Sequence, residues 1–214
     1  MKKYLVLMII VAMATSVFAQ PQLPEYQPAA GKWTLTADRL YQNDAAERLA
    51  KVNIKVPQVD KMVYEFNARY EGGAEDGHGG FGIHLFADTA HPGRSWGSGK
   101  SYMIWVNYDL NPRDKAIPKG FSAQLYRSLS HSRMELVESF DLNQYALMLT
   151  PAVLANPIPI KLWVDSATGE VRFYDPTNSN FYFRIDIGKD FPKVGQWMAL
   201  RTNGMKVSFG LPTR

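Results

Sequence analysis

Twenty acidic residues, four histidines and no cysteine are the groups from which this 214-residue chain could build a reactive centre. The absence of cysteine excludes a thiolate-ligated zinc, a cysteine nucleophile and a disulfide framework. A retaining glycosidase needs two carboxyl groups about 5–5.5 Å apart. The nearest pair, Glu135 and Glu138, is three residues apart in a strand-like run, and a period of two sends such residues to opposite faces. Glu65 and Glu138 could meet only through the tertiary fold. None of His78, His84, His91 and His131 belongs to a close metal-ligand spacing. His78, His91 and His131 fall in expected loops. His84 falls mid-strand, where a hydrogen-bonded structural histidine is expected before a catalytic base. Gly93-Arg94-Ser95-Trp96-Gly97-Ser98-Gly99-Lys100 has the composition of a phosphate loop, but Ser98 stands where the second glycine is required and a strand, not a helix, follows. Glu75 to Gly80 and Asp109 to Asp114 offer oxygen ligands without a complete calcium loop. No cofactor is expected, with Ca²⁺ as the one alternative.

The elements that would position these groups are strands. In Met62–Tyr70 one face carries Met62, Tyr64, Phe66, Ala68 and Tyr70, and the other carries Val63, Glu65, Asn67 and Arg69. Such alternation marks a half-buried strand. The same period recurs in 81–87, 102–108, 121–128, 134–140, 158–165, 170–174, 181–187, 197–202 and 205–209. Polar 129–133 suits a hairpin loop, Gly169 a tight reversal, and Asn203-Gly204 a hairpin turn, since both residues tolerate positive φ. Only 45–50 and 143–154 read as helical, and Pro151 interrupts the second. About ten short strands with almost no helix predict an all-β, two-sheet antiparallel sandwich, and the missing helical alternation excludes a parallel α/β sheet.

Several stretches together carry a family likeness: Gly31-Lys32-Trp33, Val63-Tyr64-Glu65-Phe66, Gly80-Phe81-Gly82-Ile83-His84-Leu85-Phe86, Ile160-Lys161-Leu162-Trp163-Val164-Asp165 and the closing run Trp197 to Phe209. In this order, over residues 31 to 211, they resemble the jelly roll of the concanavalin A-like lectin and glucanase superfamily. The resemblance implies one curved sheet whose concave face holds sugar chains or catalytic acids. The E-x-D-x-x-E motif of laminarinase-type glucanases is absent, which turns the expectation away from catalysis. With the apolar positions pointing inward, Glu65, Asn67, Arg69, His84, Trp105, Asn107, Gln124 and Tyr126 would share the other surface. They combine aromatic rings for the C–H face of a sugar with donors and acceptors for its hydroxyls. The alternative is a polar outer face knitted by cross-strand pairs. An open groove with Trp105 exposed would favour ligand binding, and a face filled by the protein's own loops would favour a scaffold.

Residues 1–19 have a basic start at Lys2 and Lys3, an apolar run and a small-residue close, the layout of a secretory signal peptide. The apolar run is shorter than the roughly 20 residues of a spanning helix. Removing these residues leaves 195 with a net charge of +2 instead of +4, too weak and too dispersed for a nucleic-acid partner. Residues 20–30, with Pro21, Pro24 and Pro28, read as a short arm, and 31–214 as one domain. The sequence therefore predicts an exported, periplasmic or extracellular, non-catalytic recognition domain with no transmembrane segment after cleavage. Its partner would be a glycan or an envelope protein. The alternatives are a structural protein of the envelope or of an extracytoplasmic appendage, and a glycosidase with unrecognised acids.

Overall fold

The computed structural model describes residues 25–188, 190 and 192–210; the expected signal peptide at 1–19 lies outside them. Fourteen strands are described: β1 Tyr26–Ala30, β2 Trp33–Leu35, β3 Arg39–Gln42, β4 Ala50–Val59, β5 Lys61–Gly73, β6 His78–Ala87, β7 Ser101–Asp109, β8 Gly120–Ser128, β9 Met134–Asp141, β10 Ile158–Asp165, β11 Glu170–Tyr174, β12 Tyr182–Asp186, β13 Val194–Asn203 and β14 Met205–Gly210. They form two seven-stranded antiparallel sheets. The first runs β1-β4-β13-β6-β7-β8-β9 and the second β12-β11-β10-β5-β14-β3-β2. All ten runs with a period of two in the sequence are strands.

The inward positions of both sheets form one core. Val52, Ile54, Ile83, Leu85, Ile104, Leu125 and Leu200 face Tyr64, Leu162, Val164, Val171, Val207 and Phe209. Phe209 is the hub of an aromatic cluster, with Trp33, Phe66 and Phe81 at centroid distances of 6.0–6.3 Å. A polar clamp links the sheets: buried Gln58 accepts from the Tyr64 hydroxyl (2.6 Å) and the Phe86 amide (2.8 Å), and donates to the Trp197 carbonyl (2.8 Å).

Four local expectations are corrected. Residues 45–50 are not helical: Asp44 closes a single turn by accepting the Ala46 amide, Leu49 is left-handed (φ 61°), and Ala50 opens β4. The stretch 143–154 splits into two single turns, α1 Asn143–Ala146 and α2 Pro151–Leu154, because Pro151 can only begin a helix and Thr150 caps it there. The expected arm becomes edge strand β1 from Tyr26 onward, paired with β4; an edge is where a sheet tolerates a proline such as Pro28. Asn203-Gly204 is not a hairpin turn. Only Gly204 has positive φ (66°), and the chain there passes from β13 in the first sheet to β14 in the second.

The first sheet is covered on both faces. Besides its core face it carries an outward row that runs in register across six strands: Lys51, Arg201, Gly82, Trp105 and Gln124, all buried, and Ser139, half-buried on the edge strand. Trp105 lies across the β6 backbone in space left by Gly80 and Gly82. A Cβ at Gly82 would sit 2.4 Å from the Ile104 carbonyl oxygen and 2.7 Å from Trp105 Cε3. Gly82→Ala is therefore expected to lower stability by on the order of 1–3 kcal/mol through overpacking, measured by denaturant unfolding; a change within experimental error would show that the ring is not seated on these glycines.

Candidate functional site

Five of the eight residues singled out in the sequence come together on the outward face of the first sheet. His84, Trp105, Asn107, Gln124 and Tyr126 occupy neighbouring positions of β6, β7 and β8. That face is not an open groove. Trp105 is 3% exposed, His84, Asn107 and Gln124 are also buried, and only Tyr126 is half-buried. Residues 88–100, between β6 and β7, fold back over the sheet and fill it.

The sheet holds this loop through buried polar groups. Arg201 donates to the carbonyls of Ser95 and Trp96, and its Nη1 lies 3.1 Å from His84 Nε2. Asn53 donates to the His91 carbonyl (3.1 Å) and Lys51 to Ser95 Oγ (3.2 Å). His84 Nδ1 meets Ser101 Oγ at 3.0 Å. Burial, reinforced by the neighbouring Arg201 and Lys51, holds the His84 imidazole well below its ordinary pKa. The neutral ring can accept the Arg201 N–H at Nε2 while Nδ1 donates to Ser101, an orienting role rather than a base open to solvent. Burial first, and Arg201 second, bring Lys51 down to about 8. Burial, with a smaller effect from Asp114, pushes the Tyr126 phenol up to about 12.

The loop is also clipped to the β8–β9 hairpin. Gly97 N donates to the His131 carbonyl (2.8 Å), Ser98 N to Ser128 Oγ (3.0 Å), and Ser128 Oγ to the Gly99 carbonyl (2.7 Å). A Cβ at Gly97 would collide with the Ser130 carbonyl, so glycine permits this approach. Where loop and hairpin meet, Pro92, Arg94, Ser95, Trp96, His131 and Ser132 line a shallow depression of about 360 Å³. Trp96 is 38% exposed. Its ring packs edge-on against Trp105 (5.5 Å, 82°) with the Arg201 guanidinium 5.5 Å from its centroid. Arg94 is anchored by Glu47 (2.7 Å), and His131 Nδ1 lies 3.3 Å from Ser95 Oγ with its ring edge-on to His91 (4.8 Å). Burial, then His91 and Lys51, lower the His131 pKa, so its ring is neutral near pH 7 and offers one donor and one acceptor.

Glu65, Asn67 and Arg69 do not join this site. They lie on β5, on the outward face of the second sheet. Each is engaged with a neighbour: Glu65 with Lys161 (2.7 Å), Asn67 Oδ1 with Arg39 Nη1 (2.6 Å), and Arg69 with Glu71 (2.7 Å). The shared surface expected for all eight residues is thus divided between opposite sides of the sandwich, because β5 and β6, adjacent in sequence, enter different sheets. Glu65 and Glu138 are separated in the same way, on β5 and β9. Glu135 and Glu138 correct the rule of period two: a bulge at Val137 places them opposite Arg127 and Leu125, on one side of β9. Glu135 is engaged by Arg133 (3.0 Å). In the two stretches considered for calcium, Asp76 binds Arg48 (2.6 Å) and Asp109 lies 3.1 Å from His78 Nδ1. Among the described residues no group of three or more His, Asp or Glu side chains is placed to hold a metal.

Sequence reasoning missed Trp96, Arg94, His131 and Ser132, and also the buried Lys51 and Arg201. A signal was present in 93–100, where a tryptophan stands among three glycines and four hydroxyl or cationic residues, an unusual composition for an ordinary connection.

No protein-family model matches the chain, and no curated protein matches it significantly in sequence. Solved structures match its fold. A carbohydrate-binding module, CBM66, from Bacillus subtilis superposes with a TM-score of 0.59 at 10% identity, over 88% of this chain and 94% of that one. A galectin-like protein of unknown function from Bacillus subtilis gives 0.54 at 14% identity, covering 87% and 86%. Peanut lectin with a nine-residue peptide gives 0.52 at 13%, covering 90% and 91%. The chain has the concanavalin A-like, lectin-type jelly-roll sandwich fold.

The buried cations give this site a pH signature. The unfolded chain keeps the Lys51 proton to about 10.5, whereas the folded protein releases it at about 8. Between these values the unfolded state binds more protons, so stability rises with pH across this window, and the cost of a buried ammonium is felt in full below it. Lys51→Met is expected to raise stability at pH 7 by on the order of 1–3 kcal/mol and to flatten the rise between pH 8 and 10.5, read from unfolding midpoints against pH. A variant with an unchanged pH profile would place the ammonium in contact with water.

Proposed function

We propose that this chain is an exported, non-catalytic recognition domain that binds a glycan at the Trp96 depression. The observation carrying this reading is the half-exposed indole of Trp96, propped on Trp105 and bordered by Arg94, Ser95, His131 and Ser132. A rigid aromatic face offers stacking to the C–H surface of a sugar ring, and the surrounding donors and acceptors suit its hydroxyls. The likeness in fold to a carbohydrate-binding module and to a plant lectin supports the reading, and the signal-peptide layout of residues 1–19 supports export to the periplasm or beyond. The contact layer lies one level above the residues first singled out: His84 and Trp105 support the loop, and the loop meets the ligand.

A second reading, a structural component of the envelope or of an appendage, is favoured by the closed outer sheet face and by Val59 and Val194, paired across β4 and β13 and both exposed. Binding of the purified protein to a broad glycan panel separates the two. The glycan reading expects at least one saturable ligand whose affinity falls tenfold or more, about 1.4 kcal/mol, in Trp96→Ala and remains in Trp163→Ala. No binding to any glycan, or equal binding by both variants, would overturn it, and co-purification with a large assembly would then support the structural role.

A further inference from the structure

The two sheets do not pack against each other along their whole length. Between their inward faces lies a cavity of about 820 Å³, bounded by Val106 and Phe121 on the first sheet, by Ala68, Phe173 and Val207 on the second, and roofed by the segment that carries α1 and α2. Protein interiors keep few voids larger than a water molecule, and a space of this size falls in the range of roughly 300–1,000 Å³ typical of ligand pockets. It exists because the roof is poor in filling side chains: neither single-turn helix buries a residue, and Ala68 offers only a methyl group from the strand opposite.

The lining chemistry limits what can enter. The one charged residue at the wall, Arg69, borders the cavity from β5 while its guanidinium is directed to the outward face and engaged by Glu71 at 2.7 Å. The hydroxyls of Tyr70 and Tyr145 are also satisfied, by the Gly73 carbonyl (2.6 Å) and by Asp175 (2.8 Å). Most of the remaining wall is aliphatic or aromatic, and a cavity of that character favours apolar molecules over water. The roof has a mouth: Met148 and Val153 line the cavity and are also exposed, and Leu147 beside them is 89% exposed. The Tyr145–Asp175 hydrogen bond fastens this roof to the turn between β11 and β12.

We infer that the inter-sheet cavity is a binding site for the hydrocarbon chain of a lipid, inserted past Met148 and Val153 with its headgroup left in water at the mouth. An extended chain suits a passage flanked by flexible apolar side chains, and the only charged residue at the walls, Arg69, is already paired with Glu71 and offers no partner to a buried ionic headgroup. The site is separate from the Trp96 depression, which lies on the far side of the first sheet.

The test uses the full chain and the neutral fluorophore N-phenyl-1-naphthylamine, displaced in turn by dodecanol and by dodecanoate. Saturable fluorophore binding with one site per chain is expected, reversed by both competitors at comparable concentrations because the headgroup stays outside. Ala68→Phe and Val207→Phe, which fill the space from two strands, are each expected to weaken binding at least tenfold with unchanged circular dichroism. Trp96→Ala is expected to leave it unchanged, so this result stands or falls apart from the glycan reading. Absence of saturable binding to the wild-type protein, undiminished binding in a folded filling variant, or loss of binding in Trp96→Ala would overturn the inference.

Discussion

A buried guanidinium governs the arrangement of this protein. Arg201 sits on a central strand of the first sheet, and the carbonyls of Ser95 and Trp96 come down to it while His84 faces it at Nε2. A cation removed from water must be surrounded by acceptors or it costs several kcal/mol, so the loop that supplies those carbonyls is required by the strand beneath it. Once the loop is fixed there, Trp96 lies over Trp105, and the Trp105 ring needs the neighbouring strand β6 to carry glycine at positions 80 and 82. The chain of dependence therefore runs from one charged side chain through a loop to an exposed ring.

This explains how a lectin-type sandwich can present an aromatic surface while its broad sheet face is closed. The face has two layers. The inner one, with Lys51, Asn53, His84 and Arg201, is polar but inaccessible and holds the loop by its backbone carbonyls and the Ser95 hydroxyl. The outer one, with Arg94, Trp96, His131 and Ser132, is accessible and is positioned by the inner one. Under the glycan reading proposed above, preorganisation of this kind would lower the entropic cost of binding, because the ring is already held in place.

The two halves of the sandwich solve burial differently. On the outer face of the first sheet, polar side chains are packed under a tightly bonded loop. On the outer face of the second, Arg39 is buried against Ser208 and Asn67, while other charged residues remain near water and pair across strands, with Arg172 lying over both Trp163 and Tyr182 (4.3 and 4.9 Å). Between the sheets, the core is dense around Phe209 and opens beneath the α1–α2 segment. Tight packing and open space are thus separated within one core, and the open part is roofed by two single-turn helices that bury no residue.

The amino-acid pattern by itself determined the sandwich. Alternation in runs such as Met62–Tyr70 and Tyr102–Tyr108 is a local property of strands with one apolar face, and it needs no partner to be recognised. It did not reveal β4, whose outward Lys51 and Asn53 look solvent-facing and whose Pro57 looks like a break. Nor did it assign strands to sheets, since Asn203-Gly204 has the same local chemistry whether it closes a hairpin or carries the chain to the opposite layer. Polarity also misjudged exposure: Trp105, Asn107 and Gln124 read as a wet surface, yet they are buried, because sequence records that a side chain can hydrogen-bond, not whether its partner is water or a folded-back loop. Only the tertiary structure, by laying residues 88–100 over that row, decided which groups are foundation and which meet solvent, because burial depends on contacts between segments far apart in the chain.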